Sequence, residues 1–149
     1  MEDDHMPLLE LTCREGALTS EARAEFVSTL GELLREWNDQ PNSYSLRFAP
    51  SLQFVELPAS AIHEGAQPTA EATYLLSVAV PAGSLGTQRK AGFLAEITKA
   101  ILAADGGTPD ASRVRIHIHE IPLGNWDVWQ RADHARRAAQ PGPVHSLPM

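Results

Sequence analysis

The sequence predicts an α/β fold built from a duplicated β-α-β unit, a four-stranded sheet with two helices on one face. Three observations predict it. Short strand-like apolar runs flank two long stretches of helical periodicity, in the order strand, helix, strand, twice over. Each opening strand is followed by a turn carrying a glycine, Gly16 or Gly83. Each closing strand ends in Glu-apolar-Pro, as Glu56-Leu57-Pro58 and as Glu120-Ile121-Pro122.

In the first unit, Leu8, Leu9 and Leu11 read as a buried strand and Arg14-Glu15-Gly16 as its turn. Thr19 and Ser20 are helix caps, with Glu21 favouring the helix dipole. Phe26, Val27, Leu30, Leu33, Leu34 and Trp37 form the apolar stripe, and Asn38-Asp39-Gln40-Pro41 stops the helix. Residues 52–57 alternate as a half-buried strand that Pro58 ends, and residues 59–72 read as a loop. In the second unit, residues 74–80 form a strand and Pro81-Ala82-Gly83-Ser84 a turn. Thr87 caps a helix with Ala91, Leu94, Ile97, Ile101 and Leu102 on one face. Asp105-Gly106-Gly107-Thr108-Pro109 terminates that helix, its glycines suited to the left-handed conformation. Residues 113–121 alternate strictly. Asn125 to Trp129 read as a short terminal strand. Residues 1–6 form a disordered lead, residues 7–131 a single domain with repeats at about 7–58 and 74–129, and residues 132–149 a loose tail.

Right-handed crossovers put both helices on one side of the sheet. The other side then needs a partner, so the sequence predicts an oligomer. Among 149 residues there is one cysteine, Cys13, which leaves no internal disulfide and no zinc pattern. A net charge of −7 argues against nucleic-acid binding, where phosphate neutralisation dominates affinity. Without a signal-peptide pattern or a membrane-length apolar run, the expectation is a cytoplasmic protein. His117 and His119 share a strand face with Arg115; with a cation beside them and no third ligand nearby, no metal site is predicted. No cofactor is expected.

Met6-Pro7 carries the chemistry. If translation starts at Met6 and the methionine is removed, Pro7 is a secondary amine. An α-amino group titrates at about 7.7–8.0, and cationic neighbours and apolar walls lower that value. Such an amine is a general base suited to neutral pH. If residues 1–6 are retained, the Pro7 nitrogen is an amide without basicity, and Pro7 is simply the first residue of an edge strand.

Met-Pro before a strand, the duplicated β-α-β layout and the ending Arg115-Ile116-His117-Ile118-His119-Glu120-Ile121-Pro122-Leu123-Gly124-Asn125-Trp126 together resemble the tautomerase superfamily, over roughly Pro7 to Trp129. The resemblance implies a homotrimer with an amino-terminal proline as catalyst. It makes Pro7 the catalytic residue, Arg115 a substrate-binding cation and Trp126 an aromatic wall. Glu120 matches a glutamate that activates water in the dehalogenase members and is a turn residue in the tautomerases. Ala17 and Ser84 stand where arginines of the family are found, which argues against diacid and chlorinated substrates. The implied activity is keto–enol interconversion of a small carboxylic or aromatic keto acid. Two alternatives use the same scaffold: a non-catalytic binding protein with a blocked Pro7, and a hydratase or decarboxylase with protonated Pro7.

Overall fold

Leu9 opposite Val78, Leu11 opposite Leu76 and Cys13 opposite Tyr74 form the seam of the molecule. All six are buried, because two adjacent strands present their alternating apolar residues to the same side. The computed structural model describes residues 8–37, 51–68, 71–83, 86–125 and 127. The main elements are β1 (Leu8–Arg14), α1 (Ser20–Trp37), β2 (Ser51–Leu57), the short β3 (His63–Glu64) and β4 (Gln67–Pro68), β5 (Tyr74–Pro81), α2 (Thr87–Asp105) and β6 (Val114–Ile121). The four-stranded sheet has the order β2-β1-β5-β6. β1 pairs parallel to β2 and β5 parallel to β6, while β1 and β5 run antiparallel. Each β-α-β unit is thus one half of the sheet, and the halves meet at the seam.

The duplication reaches individual side chains. One constant offset relates Gly16 to Gly83, Arg23 to Lys90, Phe26 to Phe93, Leu30 to Ile97 and Leu34 to Ile101. The two turn glycines have φ of 80° and 87°, a region disfavoured for residues with a Cβ. After each turn glycine's strand, the chain is tied to the closing strand of its own unit. Glu15 N–H donates to Leu57 O at 2.8 Å, and Ala82 N–H to Ile121 O at 2.9 Å. Each helix also sends a cation to the glutamate of the Glu-apolar-Pro ending. Arg23 reaches Glu56 at 3.1 Å, and Lys90 pairs with Glu120.

Both helices cover one face. Phe26 and Leu30 of α1 and Phe93, Ile97 and Ile101 of α2 are buried against Leu9, Leu11, Leu76 and Val78, with Leu52, Phe54, Ile116 and Ile118 closing the flanks. Neither of the two long helices covers the opposite face, which carries Leu8, Glu10, Thr12, Leu75, Ser77, Arg115, His117 and His119. Leu8 and Leu75 are 42% and 37% exposed there. No described helix is long and apolar enough to cross a membrane.

Several local expectations are corrected. Val27 is exposed, because the α1 stripe centres on Phe26 and Leu30. In α2 the buried row is Phe93, Ile97 and Ile101, spaced by four; Ala91 lies outside it and is exposed. Thr19 does cap α1, accepting from Ala22 N–H at 3.0 Å, but the α2 cap residue is Gly86, with Thr87 already helical. Gly106 ends α2 at φ 74° as anticipated. The 59–72 stretch contains the β3–β4 hairpin, and Asn125 belongs to a 3-10 turn, Leu123–Asn125, rather than to a strand. Residues 1–6, Pro7, Trp126, Trp129 and the 132–149 tail lie outside the described residues.

Candidate active site on the uncovered sheet face

Strand register lays out the uncovered face in rows. One row is Ser51, Leu8, Ala79, His119; the next is Gln53, Glu10, Ser77, His117; the third is Val55, Thr12, Leu75, Arg115. Two concavities lie on this face at opposite corners. A basin of about 230 Å³ at the start of β1 is lined by Leu8, Glu10, Ser51, Gln53, Ser77 and Ala79. A cavity of about 330 Å³ at the start of β5 has Thr12, Leu75, His63, Glu64, Arg115 and His117 in its wall.

The two are twins by duplication. Leu8 pairs with Ser51 as Leu75 pairs with Arg115, so Ser51 and Gln53 occupy in the first unit the places of Arg115 and His117 in the second. The twin at β5 has the cation. The twin at β1 lies beside the strand that Pro7 precedes, and no cation is found among its described lining residues. β1 is an interior strand, so Pro7 stands before a central strand and not before an edge strand as the plainer reading had it.

Arg115 is exposed on the uncovered face and donates to Glu64 Oε2 at 3.2 Å. Four residues along β6 separate it from His119, which shares the row of Leu8. That is about 13 Å along the strand, with about 10 Å more across two strand spacings. A single chain therefore keeps Arg115 far from the start of β1. His117 and His119 stand edge to face, ring centroids 6.2 Å apart. Among the described residues no three His, Cys, Asp or Glu side chains gather as a metal site.

Glu120 has the opposite parity to Arg115 and lies on the helix-covered side. It accepts from Lys90 Nζ and from the Gly83 N–H at 3.3 Å. The hydrogen bond from Lys90, more than the opposing burial, holds its carboxyl below the usual glutamate range. It acts as a clasp between β6, the glycine turn and α2, and the structure does not bring it to Arg115. Arg89 caps the end of α1, donating to Glu36 O at 2.6 Å and Trp37 O at 3.3 Å. Arg14 borders an open hollow next to Gly16 and Ala17, so a cation does stand by the turn whose own arginine is missing. Arg47 lies outside the described residues. Cys13 is a core thiol; burial, then Glu56, push its pKa up, which keeps it protonated and unreactive.

Sequence reasoning missed Arg113. It is buried at the end of a 3-10 turn before β6 and forks onto Asp105, at 3.0 Å and 2.9 Å, while also donating to Ala72 O and Thr108 O. The Tyr74 hydroxyl donates to the same carboxylate at 2.6 Å. This network closes the core below the β5 cavity. Its only local sign in sequence is an aspartate just before the Gly106-Gly107 helix stop.

No protein-family model and no curated protein matches the sequence. The structure is similar to several solved ones. N1, a member of the cis-3-chloroacrylic acid dehalogenase family, superposes with a TM-score of 0.69 at 20% identity, covering 91% of this chain and 93% of N1. F6, a fused 4-OT solved as an asymmetric trimer, gives 0.65 at 20% identity over 80% of this chain and 90% of its own. Pt0534, solved after inactivation by 2-oxo-3-pentynoate, gives 0.65 at 15% identity over 80% and 90%. The likeness establishes the fold: this chain shares the duplicated β-α-β fold of N1 and of fused 4-OT.

Proposed function

We propose that the chain is a proline-dependent tautomerase that interconverts keto and enol forms of a small carboxylic or aromatic keto acid. In this reading Pro7, as the amino-terminal residue, is the general base. It removes a proton next to the carbonyl, the enolate develops negative charge on oxygen, and the protonated amine returns the proton at the other end of the conjugated system. Arg115 binds the carboxylate or the developing enolate, and a preorganised cation of this kind lowers the barrier. Trp126 walls the site against water.

The observation that carries the reading is the split of the uncovered face. The basin at the start of β1, the strand that Pro7 precedes in sequence, lacks a cation among its described residues, and the Arg115 cavity sits at the diagonal corner. A site with both groups takes Pro7 from one subunit and Arg115 from another. A homotrimer supplies that arrangement and covers the exposed Leu8 and Leu75; F6 is a trimer of the same fold. Arg115 as the one exposed arginine among the described residues of the cavity favours monoacid substrates.

Intact-mass measurement on the protein from its native source tests the premise, with a mass starting at Pro7 expected. In a version of the chain beginning at Met6, Pro7→Ala should lower ketonisation of phenylpyruvate enol by about 10²–10⁴-fold, the usual worth of a general base. 2-Oxo-3-pentynoate, by conjugate addition of the free amine to its alkyne, should label Pro7. Retention of residues 1–6 in the native protein would point to the non-catalytic reading instead, and unchanged turnover in Pro7→Ala would rule out Pro7 as the base.

A further inference from the structure

The Arg115 cavity already contains a carboxylate. Glu64 reaches it from the β3–β4 hairpin and meets Arg115 through a single contact of 3.2 Å. The contrast with Arg113 is direct, since Arg113 binds its aspartate as a two-point fork and is sealed from solvent. The side chains of Arg115 and Glu64 are 67% and 50% exposed. The hairpin that holds Glu64 has two residues in each strand, around a turn with Gly65 at φ 61°. Two-stranded hairpins this short are marginal by themselves.

We propose that Glu64 is a resident competitor for Arg115 and a determinant of ligand charge: a ligand carboxylate reaches Arg115 by exchanging with Glu64. The proposal rests on the reading of Arg115 as a carboxylate-binding residue, and deepens it. An exposed one-point ion pair contributes little, so exchange is cheap. A two-point carboxylate contact, with His117 and His63 in the same wall, offers the incoming acid more than Glu64 provides. After exchange the Glu64 charge stays close to the cavity. One added negative charge is then balanced by Arg115, whereas a second meets repulsion, so the site selects monoanions.

Calorimetric titration of the whole chain with phenylacetate at low ionic strength tests this, because phenylacetate has a carboxylate but no ketone to tautomerise. Glu64→Gln should bind phenylacetate about two- to fivefold more tightly than the unaltered protein, in line with the worth of an exposed pair. Glu64→Lys should bind it more tightly still, and neutral phenylacetamide should respond to neither substitution. In an Arg115→Gln background, Glu64→Gln should bring no gain. Equal affinities for the unaltered protein and Glu64→Gln, an equal gain for phenylacetamide, or no binding by either protein would overturn the proposal. The outcome is separable from that of the tautomerase reading: Pro7→Ala is expected to abolish turnover and to leave the ratio of phenylacetate affinities intact.

Discussion

At the scale of single residues, the buried ion pair and the exposed one differ in what they contribute to stability. Arg113 and Asp105 have side chains 8% and 7% exposed, so the pair is desolvated and every hydrogen-bonding group must be matched. Removing one partner strands a buried charge. Arg113→Ala should therefore cost about 3–5 kcal/mol in urea unfolding; a loss below about 0.5 kcal/mol, the level of a surface change, would refute the role assigned to it. Asp105 adds a pH dependence. Burial opposes its ionisation, but hydrogen bonds from Arg113, Tyr74 and the Gly107 N–H outweigh it, so its folded pKa lies below the ordinary carboxylate value. The stabilisation is fully present above about pH 3.9, the unfolded reference, and is lost as pH falls through the lower folded value. Asp105→Asn should flatten the acid side of the stability profile. Arg115 was legible in sequence because its spacing to Glu120 is local. Arg113 was not, because its acceptor Ala72 O lies 41 residues away in sequence and Asp105, its other anchor, is itself held by Tyr74.

At the scale of elements, the strands and helices were readable because apolar period and turn chemistry agreed. What escaped was the detail set by helix–helix contact. Phe93 was left out of the predicted stripe, yet it is fully buried as the twin of Phe26. Gly92 beside it explains how α1 and α2 approach. A Cβ at Gly92 would lie 2.4 Å from Trp37 Cη2, so the missing side chain is what seats the indole. Arg89, one turn before Gly92 in the same helix, also holds that ring, its guanidinium 5.3 Å from the ring centroid. Gly92→Ala pits overpacking of about 1–3 kcal/mol against about 1 kcal/mol gained in helix propensity. The expected result is a lower melting temperature in the unaltered background. In a Trp37→Leu background, where the clash is gone, the same substitution should be neutral or stabilising. If Gly92→Ala raised the melting temperature in both, the indole would not be seated on the glycine.

At the scale of the whole molecule, the duplication made two similar corners and then let them diverge. Ser51 and Gln53 replace the cation and histidine of the twin corner, so each corner holds half of what the proposed chemistry needs. The sequence showed the ingredients, Pro7 and Arg115, but could not show that the start of β1 and Arg115 lie at opposite corners; that follows from the antiparallel pairing of β1 with β5 across the seam. The separation makes subunit sharing testable without a structure of the oligomer. Chains carrying Pro7→Ala and chains carrying Arg115→Ala should each be nearly inactive as pure assemblies. Unfolded together and refolded, they form mixed assemblies in which some sites join the intact Pro7 of one chain to the intact Arg115 of another. Phenylpyruvate-enol ketonisation should then reappear, while the two pure proteins mixed without unfolding stay inactive. If co-refolded assemblies, shown by native mass spectrometry to contain both chains, remain as inactive as either parent, the two residues do not act across a subunit boundary.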